Sequence, residues 1–106
     1  MASSILGLQM NDYGIPLEVD FELGGQPLDL SDATLIQCIL DQPDGTGTIT
    51  RTGAVVTDGS DGKVRYILAD GDLTKFGMWR FQFKVVTPTM RKFSRKFELN
   101  VESDLV

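Results

Sequence analysis

The chain contains no histidine and only one cysteine among its 106 residues. Without histidine, a Ser-His-Asp catalytic arrangement and any metal site that requires imidazole ligands are excluded. The single cysteine, Cys38, cannot form an intrachain disulfide. It lies in the apolar segment 34–40, so we expect a small buried hydrophobic residue rather than a reactive thiol. Packing alone must hold the fold together, which suits a reducing compartment.

Long apolar runs, helical periodicity and excess positive charge are also missing. No run of 18 apolar residues is long enough to span a membrane, and residues 1–8 lack the basic and apolar regions of a secretory signal. No stretch of eleven residues shows a period of 3.6. Fifteen acidic residues outweigh ten basic ones and give a net charge of −5. This balance argues against partners that are nucleic acids or anionic membranes.

The strongest positive signal is the alternation in segment 77–85. Trp79, Phe81, Phe83 and Val85 fall on every second position, with polar residues between them. Because side chains in a strand alternate between two faces, this pattern predicts a half-buried central strand of a β-sandwich. We expect Trp79 to be structural, since immunoglobulin-type domains often place a corner-pinning tyrosine there.

Similar alternation in segments separated by Gly, Pro and Asp turns predicts six further strands. Short helical turns are expected at 28–32 and 69–77. Arg95 is expected at a sheet edge or paired with a carboxylate, because it shares its parity with Phe93 and Phe97. The spacing predicts one domain over residues 1–106, an all-β, immunoglobulin-like β-sandwich of about seven antiparallel strands. The predicted strands cover 5–10, 15–23, 33–41 (apolar on both faces and therefore central), 46–56, 64–68, 79–87 and 93–101.

Acidic clusters raise two possibilities for chemistry. The segments 58–62 and 70–72 superficially suggest calcium, but neither has the spacing of an EF-hand loop, and Asp and Gly are also what turns require. Glu18, Asp20 and Glu22 share one exposed strand face, so they indicate solubilising charge rather than a glycosidase pair. We predict no enzymatic activity, no metal and no cofactor.

Two tyrosines could stack on sugars. Tyr66 alternates with Val64 and Leu68 and is expected in the core, whereas Tyr13 lies in a loop and remains a candidate. An adhesive or carbohydrate-binding module that uses Tyr13 and the loop 58–61 is therefore the alternative function.

Protein contacts are predicted at three segments. The first strand and the last residues are apolar at the chain ends, and 91–96 is a local basic run. That run is either a solvated strand start or a docking patch for an acidic partner, which includes another copy of this chain. The candidate contact residues are Ile5, Leu6, Leu8, Met10, Arg91, Lys92, Arg95, Lys96, Leu105 and Val106.

The order of several motifs resembles a known family. The motifs are Gly-Ile-Pro-Leu-Glu-Val at 14–19, Gly-Gln-Pro-Leu-Asp-Leu-Ser-Asp-Ala at 25–33, Leu-Asp-Gln-Pro-Asp-Gly at 40–45 and Asp-Leu-Thr-Lys-Phe-Gly-Met-Trp-Arg-Phe-Gln-Phe at 72–83. They follow one another as in the immunoglobulin-like N-terminal domain of phage baseplate upper proteins and in small immunoglobulin-like proteins of tailed-phage tails and necks. The baseplate proteins continue into trimerising and receptor-binding parts, which this sequence does not include.

The resemblance implies a non-enzymatic structural protein of a tailed-phage virion. Such a protein would be made in the host cytoplasm and would dock on the tail, neck or baseplate as a connector or decoration. Its partners would be other phage structural proteins, with multiple copies in a symmetric assembly.

Overall fold

A computed structural model describes residues 4–43 and 45–103, with the backbone alone for residues 4–7. Within these residues, no helix is long and apolar enough to cross a membrane. The strands are β1 (Ser4–Gln9), β2 (Pro16–Asp20), β3 (Glu22–Leu23), β4 (Gln26–Pro27), β5 (Leu35–Asp41), β6 (Thr48–Thr52), β7 (Ala54–Val55), β8 (Lys63–Ile67), β9 (Gly77–Thr87), β10 (Met90–Phe93) and β11 (Phe97–Glu102).

The strands form two main sheets and one small hairpin. The larger sheet has the order β1-β11-β9-β5-β6, with β10 also paired to β9. The smaller sheet has the order β2-β8-β7, and β3 pairs with β4. The predicted all-β class is confirmed, and the mixed sheets are consistent with a β-sandwich. The expectation of purely antiparallel strands is wrong for β1, which runs parallel to β11.

The aromatic ladder of β9 lies in the core, as the alternation predicts. Trp79, Phe81, Phe83 and Val85 are each 3% exposed or less, while the intervening side chains are exposed or half-buried. The Phe81 ring packs edge-on against Phe83 and stacks on Phe97, with centroid distances of 6.2 and 5.3 Å. Burying each large side chain contributes about 1.5–3 kcal/mol, so this strand supplies a major share of the stabilisation.

The opposite wall of the core comes from the smaller sheet. Leu17 and Val19 of β2 lie opposite Tyr66 and Val64 of β8, and all four side chains are buried. This placement confirms the predicted core role of Tyr66.

The predicted strand 46–56 is divided between the two sheets. Its first part, β6, pairs with β5, and its second part, β7, pairs with β8. Gly53 lies where the chain passes from one sheet to the other, and it donates its backbone N–H to the Ile36 carbonyl at 2.9 Å. A Cβ there would lie 3.1 Å from the Arg65 carbonyl oxygen and 3.2 Å from the Phe83 ring. Glycine therefore lets the chain pass closely between the sheets.

The predicted strand 15–23 also ends early. β2 stops at Asp20, and β3 leaves the smaller sheet to pair with β4 across a turn at Gly24 and Gly25. Leu23 is consequently 61% exposed, although the alternation predicts an inward side chain. The helical turns expected at 28–32 and 69–77 are wrong as well, because both segments form non-helical turns.

The loop 57–62 is bound to the segment that follows β2. Gly62 accepts a backbone hydrogen bond from Phe21 at 2.8 Å, and Gly59 accepts one from Leu30 at 2.7 Å. Gly62 has a φ of +73°, and a Cβ there would lie 2.3 Å from the Phe21 carbonyl oxygen. Both the backbone conformation and the close approach therefore require glycine.

Replacing Gly62 with alanine should destabilise the domain far more than replacing Gly71. Gly71 also has a positive φ, +94°, but a Cβ there would meet nothing within 4 Å. We expect Gly71→Ala to lower the free energy of unfolding by about 1–2 kcal/mol from backbone strain alone. Gly62→Ala adds a backbone clash and should cost about 3 kcal/mol or more. Equal losses in urea denaturation would contradict this account of the loop.

Candidate interaction surface

One edge of the larger sheet brings together two of the three predicted contact segments. β5 occupies one side of β9 along residues 80–86. β10 pairs with residues 84–87 of β9, so it must lie on the other side, in line with β11. β1 runs alongside β11 on that side. The basic run and the first strand therefore lie on the same edge.

A β-bulge joins β10 to β11. Phe93 lies opposite position 84 and Phe97 opposite position 81, so three residues, 94–96, face only two on β9. Ser94 holds the bulge, because its N–H donates to the Phe83 carbonyl at 2.8 Å and its Oγ accepts from the Phe83 N–H at 2.9 Å. One extra residue exchanges the two faces of a strand.

The bulge overturns the predicted parity of the last strand. Phe97 points inward as predicted, but Phe93 points outward and is 42% exposed. Beside Phe93 on the outer face lies Arg91, and the Lys84 Nζ is 5.8 Å from the centre of the Phe93 ring. Lys92 alternates to the inner side and is half-buried.

The bulge also sends the other two cations of the run in different directions. Arg95 is exposed at the sheet edge, one of the two predicted positions, and its guanidinium lies 5.0 Å from the centre of the Phe97 ring. Lys96 lines a shallow pocket of the outer face together with Asp41 and Arg80. The predicted basic patch thus surrounds the edge rather than forming one flat face.

The remaining predicted contact residues divide into four groups. The predicted contact role of Leu8 is wrong, because its side chain is only 3% exposed and belongs to the core of its own domain. Met10 is half-buried against the core, and its N–H donates to the Glu102 carbonyl at 2.8 Å. Ile5 and Leu6 lie on β1, with side chains outside the described part of the chain. Leu105 and Val106 lie outside the described residues altogether.

The outer face beside this edge combines apolar and cationic side chains, and it was not among the predicted contact segments. The strand register places Leu35, Val86 and Arg91 in one cross-strand row, and Gln37, Lys84 and Phe93 in the next. Neither row contains a carboxylate, although the protein is acidic overall. The apolar character of both faces of segment 33–41 is the sequence signal for this outer face, in addition to the central position that it predicts.

A buried carboxylate links the larger sheet to the smaller one. Asp72 is 1% exposed and accepts hydrogen bonds from the Tyr66 hydroxyl, from Arg51 Nε at 3.0 Å and from the Ala69 N–H at 2.9 Å. Burial acts to raise the pKa of Asp72, but these three donors outweigh it and lower the pKa. Burial, together with the neighbouring carboxylate, raises the pKa of Tyr66 to about 12. The cluster is therefore a satisfied structural network.

The carboxylates of the aspartate loop 58–62 accept hydrogen bonds from residues of the same turn. Asp58 Oδ1 accepts from the Ser60 N–H at 3.0 Å and from its hydroxyl at 2.7 Å, and these bonds lower the pKa of Asp58. Asp61 accepts from the Lys63 N–H and from the Thr57 hydroxyl, each at 3.1 Å. Among the described residues, no group of three or more His, Cys, Asp or Glu side chains is arranged to hold a metal ion.

The acidic face of β2 faces solvent, as predicted, and is paired with cations of β8. Lys63 lies 3.3 Å from Asp20, and Arg65 lies 3.8 Å from Glu18. Exposed pairs of this kind contribute little to stability.

The other candidates from the sequence take mostly structural positions. Trp79 is buried, and its Nε1 donates to the Lys75 carbonyl at 3.0 Å. Cys38 is fully buried, and burial raises the pKa of its thiol to about 12, so it behaves as the expected hydrophobic residue. Tyr13 differs from both, because it is 63% exposed.

Comparison with models of known protein families finds no match, and a search of curated proteins finds no significantly similar sequence.

Removing the buried carboxylate should be costly, whereas removing an exposed one should not. We expect Asp72→Asn to lower the free energy of unfolding by about 1–3 kcal/mol, because an amide cannot accept from all three donors. The matched control Asp20→Asn removes an exposed ion pair and should cost less than about 1 kcal/mol. Equal effects of the two substitutions in denaturant titrations would refute the structural role of Asp72.

The same network predicts how stability depends on pH. The folded-state pKa of Asp72 is lowered, so its contribution is present above its unfolded value of 3.8 and is lost as the pH falls further. The folded-state pKa of Tyr66 is raised, so its contribution is present below pH 10 and is lost towards pH 12. We therefore expect Tyr66→Phe to reduce the alkaline loss of stability. A decline due to Cys38 should remain, and an unchanged alkaline slope would contradict the prediction.

Proposed function

We propose that this chain is an immunoglobulin-like, non-enzymatic docking module of a tailed-phage virion, acting as a connector or decoration on the tail, neck or baseplate. The observation that carries the docking role is the convergence of the basic run with the first strand on one edge of the larger sheet. The virion setting rests on the motif resemblance described above. Its partners would be other virion proteins.

The strand order supports the immunoglobulin-like assignment. In such domains the G, F and C strands, extended by C′ in variable types, pack on a sheet that contains B, E and D. If β2 is taken as strand B, the described sheets have the orders G-F-C-C′ (β11-β9-β5-β6) and B-E-D (β2-β8-β7). β1 would then be strand A, lying beside G rather than beside B.

The chemistry of the edge supports docking. Arg91, Lys92 and Lys96 form no ion pair with any described residue. Phe93 adds exposed aromatic surface between these cations. Aromatic and arginine side chains are enriched at protein interfaces, and a cationic patch on an acidic protein favours an acidic partner.

A second candidate function is carbohydrate binding, and the exposure of Tyr13 favours it. The loop 58–61 contributes less, because its carboxylates accept hydrogen bonds from its own turn. Sugar binding that disappears in Tyr13→Ala would support this alternative over the docking role.

The docking role is tested in phage particles with two matched double variants. Arg91→Gln/Lys96→Gln removes two charges from the edge, and Lys63→Gln/Arg65→Gln removes two from the outer face of the smaller sheet. Quantitative mass spectrometry of purified virions should find the wild-type chain in the particles. We expect the edge variant to be incorporated about tenfold less, because complementary charge governs encounter and register.

The control variant should be incorporated like the wild type. Thermal denaturation should show that both variants fold, so that a difference in incorporation reports docking. Absence of the wild-type chain from purified particles would refute the virion role, and equal incorporation of the two variants would refute the choice of edge.

A further inference from the structure

We propose that the free edge of β10 accepts an extended acidic segment of a partner protein as an additional β-strand. The inference rests on the docking role proposed above and specifies its chemistry. It arises from the backbone of β10, from its open side and from the charges that surround it.

At alternate residues of β10, the backbone N–H and C=O groups do not bond to β9. Residues bonded to a neighbouring strand alternate with residues whose N–H and C=O point away. Since Ser94 donates to the Phe83 carbonyl on β9, the alternating positions 92 and 90 also face β9. Arg91 and Phe93 therefore direct their N–H and C=O groups to the free edge. Strand addition requires such a row of donors and acceptors.

The open side of β10 lies in line with β1. β1 pairs with the edge of β11 that is directed away from β9, and it begins at Ser4, opposite Glu98. Within the described residues, no strand lies beside β10 or beside the bulge 94–96 on this side. An added strand would occupy the line of β1, about 4.8 Å from β10.

The charges select the occupant. Arg91 and Lys84 lie on the outer face, and Lys92 and Arg95 face the opening between the sheets. A second copy that offered the same edge would place like charges opposite each other, a device by which proteins prevent edge pairing. Glu22 lies across the opening and offsets the inner cations in part. The uncompensated charge is on the outer face, so the added strand needs acidic side chains there.

The inner side of the added strand would face a pocket. This pocket has a volume of about 230 Å³. Its apolar lining comes from Val19 of β2, from Phe21 directly after it and from Phe97 of β11, and the charged residues of the opening line it as well. The buried part of this lining is suited to apolar side chains, whereas its exposed part is charged. Because strand side chains alternate, the expected segment has acidic residues outward and apolar residues inward.

A synthetic peptide of alternating glutamate and valine, about seven residues long, is the direct probe. Nitrogen-15 NMR with amide hydrogen exchange should show binding that weakens as salt is raised. We expect at least about tenfold slower exchange at the amides of Arg91 and Phe93, because those N–H groups gain acceptors. The amides of Lys92 and Ser94, already directed to β9, should change little.

Two controls separate strand addition from simple charge attraction. A peptide of the same sequence with N-methylated alternate amides keeps its charge but cannot form the ladder, so it should not bind. Arg91→Pro removes one edge N–H together with the charge of Arg91, and it should weaken binding of the parent peptide about tenfold more than Arg91→Gln, which removes the charge alone. Thr50→Pro removes the equivalent N–H from the edge of β6, on the opposite side of the same sheet, and should leave binding unchanged.

Equal binding of the two peptides, or exchange protection at the β6 edge in place of β10, would overturn the proposal. Absence of binding would overturn it as well. These results are separate from those for the docking role: an edge variant that is lost from virions while the peptide fails to bind leaves the docking role standing and refutes strand addition alone. If Arg91→Pro does not fold, the N-methylated peptide still decides the question.

Discussion

The burial of the aromatic side chains of β9 is the constraint on which the rest of the structure depends. β9 is paired on both sides and presents Trp79, Phe81 and Phe83 to the core. Because neighbouring strands are held in register, this choice of face also decides which residues of β5, β10 and β11 point outward. The exposed row that contains Phe93 exists because the ladder of β9 is buried.

Two features show how the fold connects its layers without a disulfide. Arg51 of β6 and Tyr66 of β8 both bind Asp72, so one buried carboxylate joins an edge strand of the larger sheet to the middle strand of the smaller one. Gly53 lets the chain pass from the first sheet to the second at a close approach. A satisfied polar network of this kind favours one arrangement of the sheets over alternatives.

Local alternation predicted the strands that have one buried face, because a period of two is a property of neighbouring residues. It could not predict the sheet change at Gly53, the parallel pairing of β1 or the bulge at Ser94, since each depends on residues distant in sequence. The candidate surface likewise has one part that the sequence predicts and another that it does not. The basic run is visible in the sequence, but its position beside β1 follows from topology, and the outward turn of Phe93 follows from one inserted residue.

The proposed docking through the outside of the larger sheet requires the β9 ladder to face inward. Trp79 is the single tryptophan of the chain, so its fluorescence reports the ladder directly. The structure predicts an emission maximum shifted to short wavelength and strong resistance to quenching by acrylamide, because the indole is fully buried. Emission typical of an indole in water, with efficient quenching in the folded protein, would contradict the account.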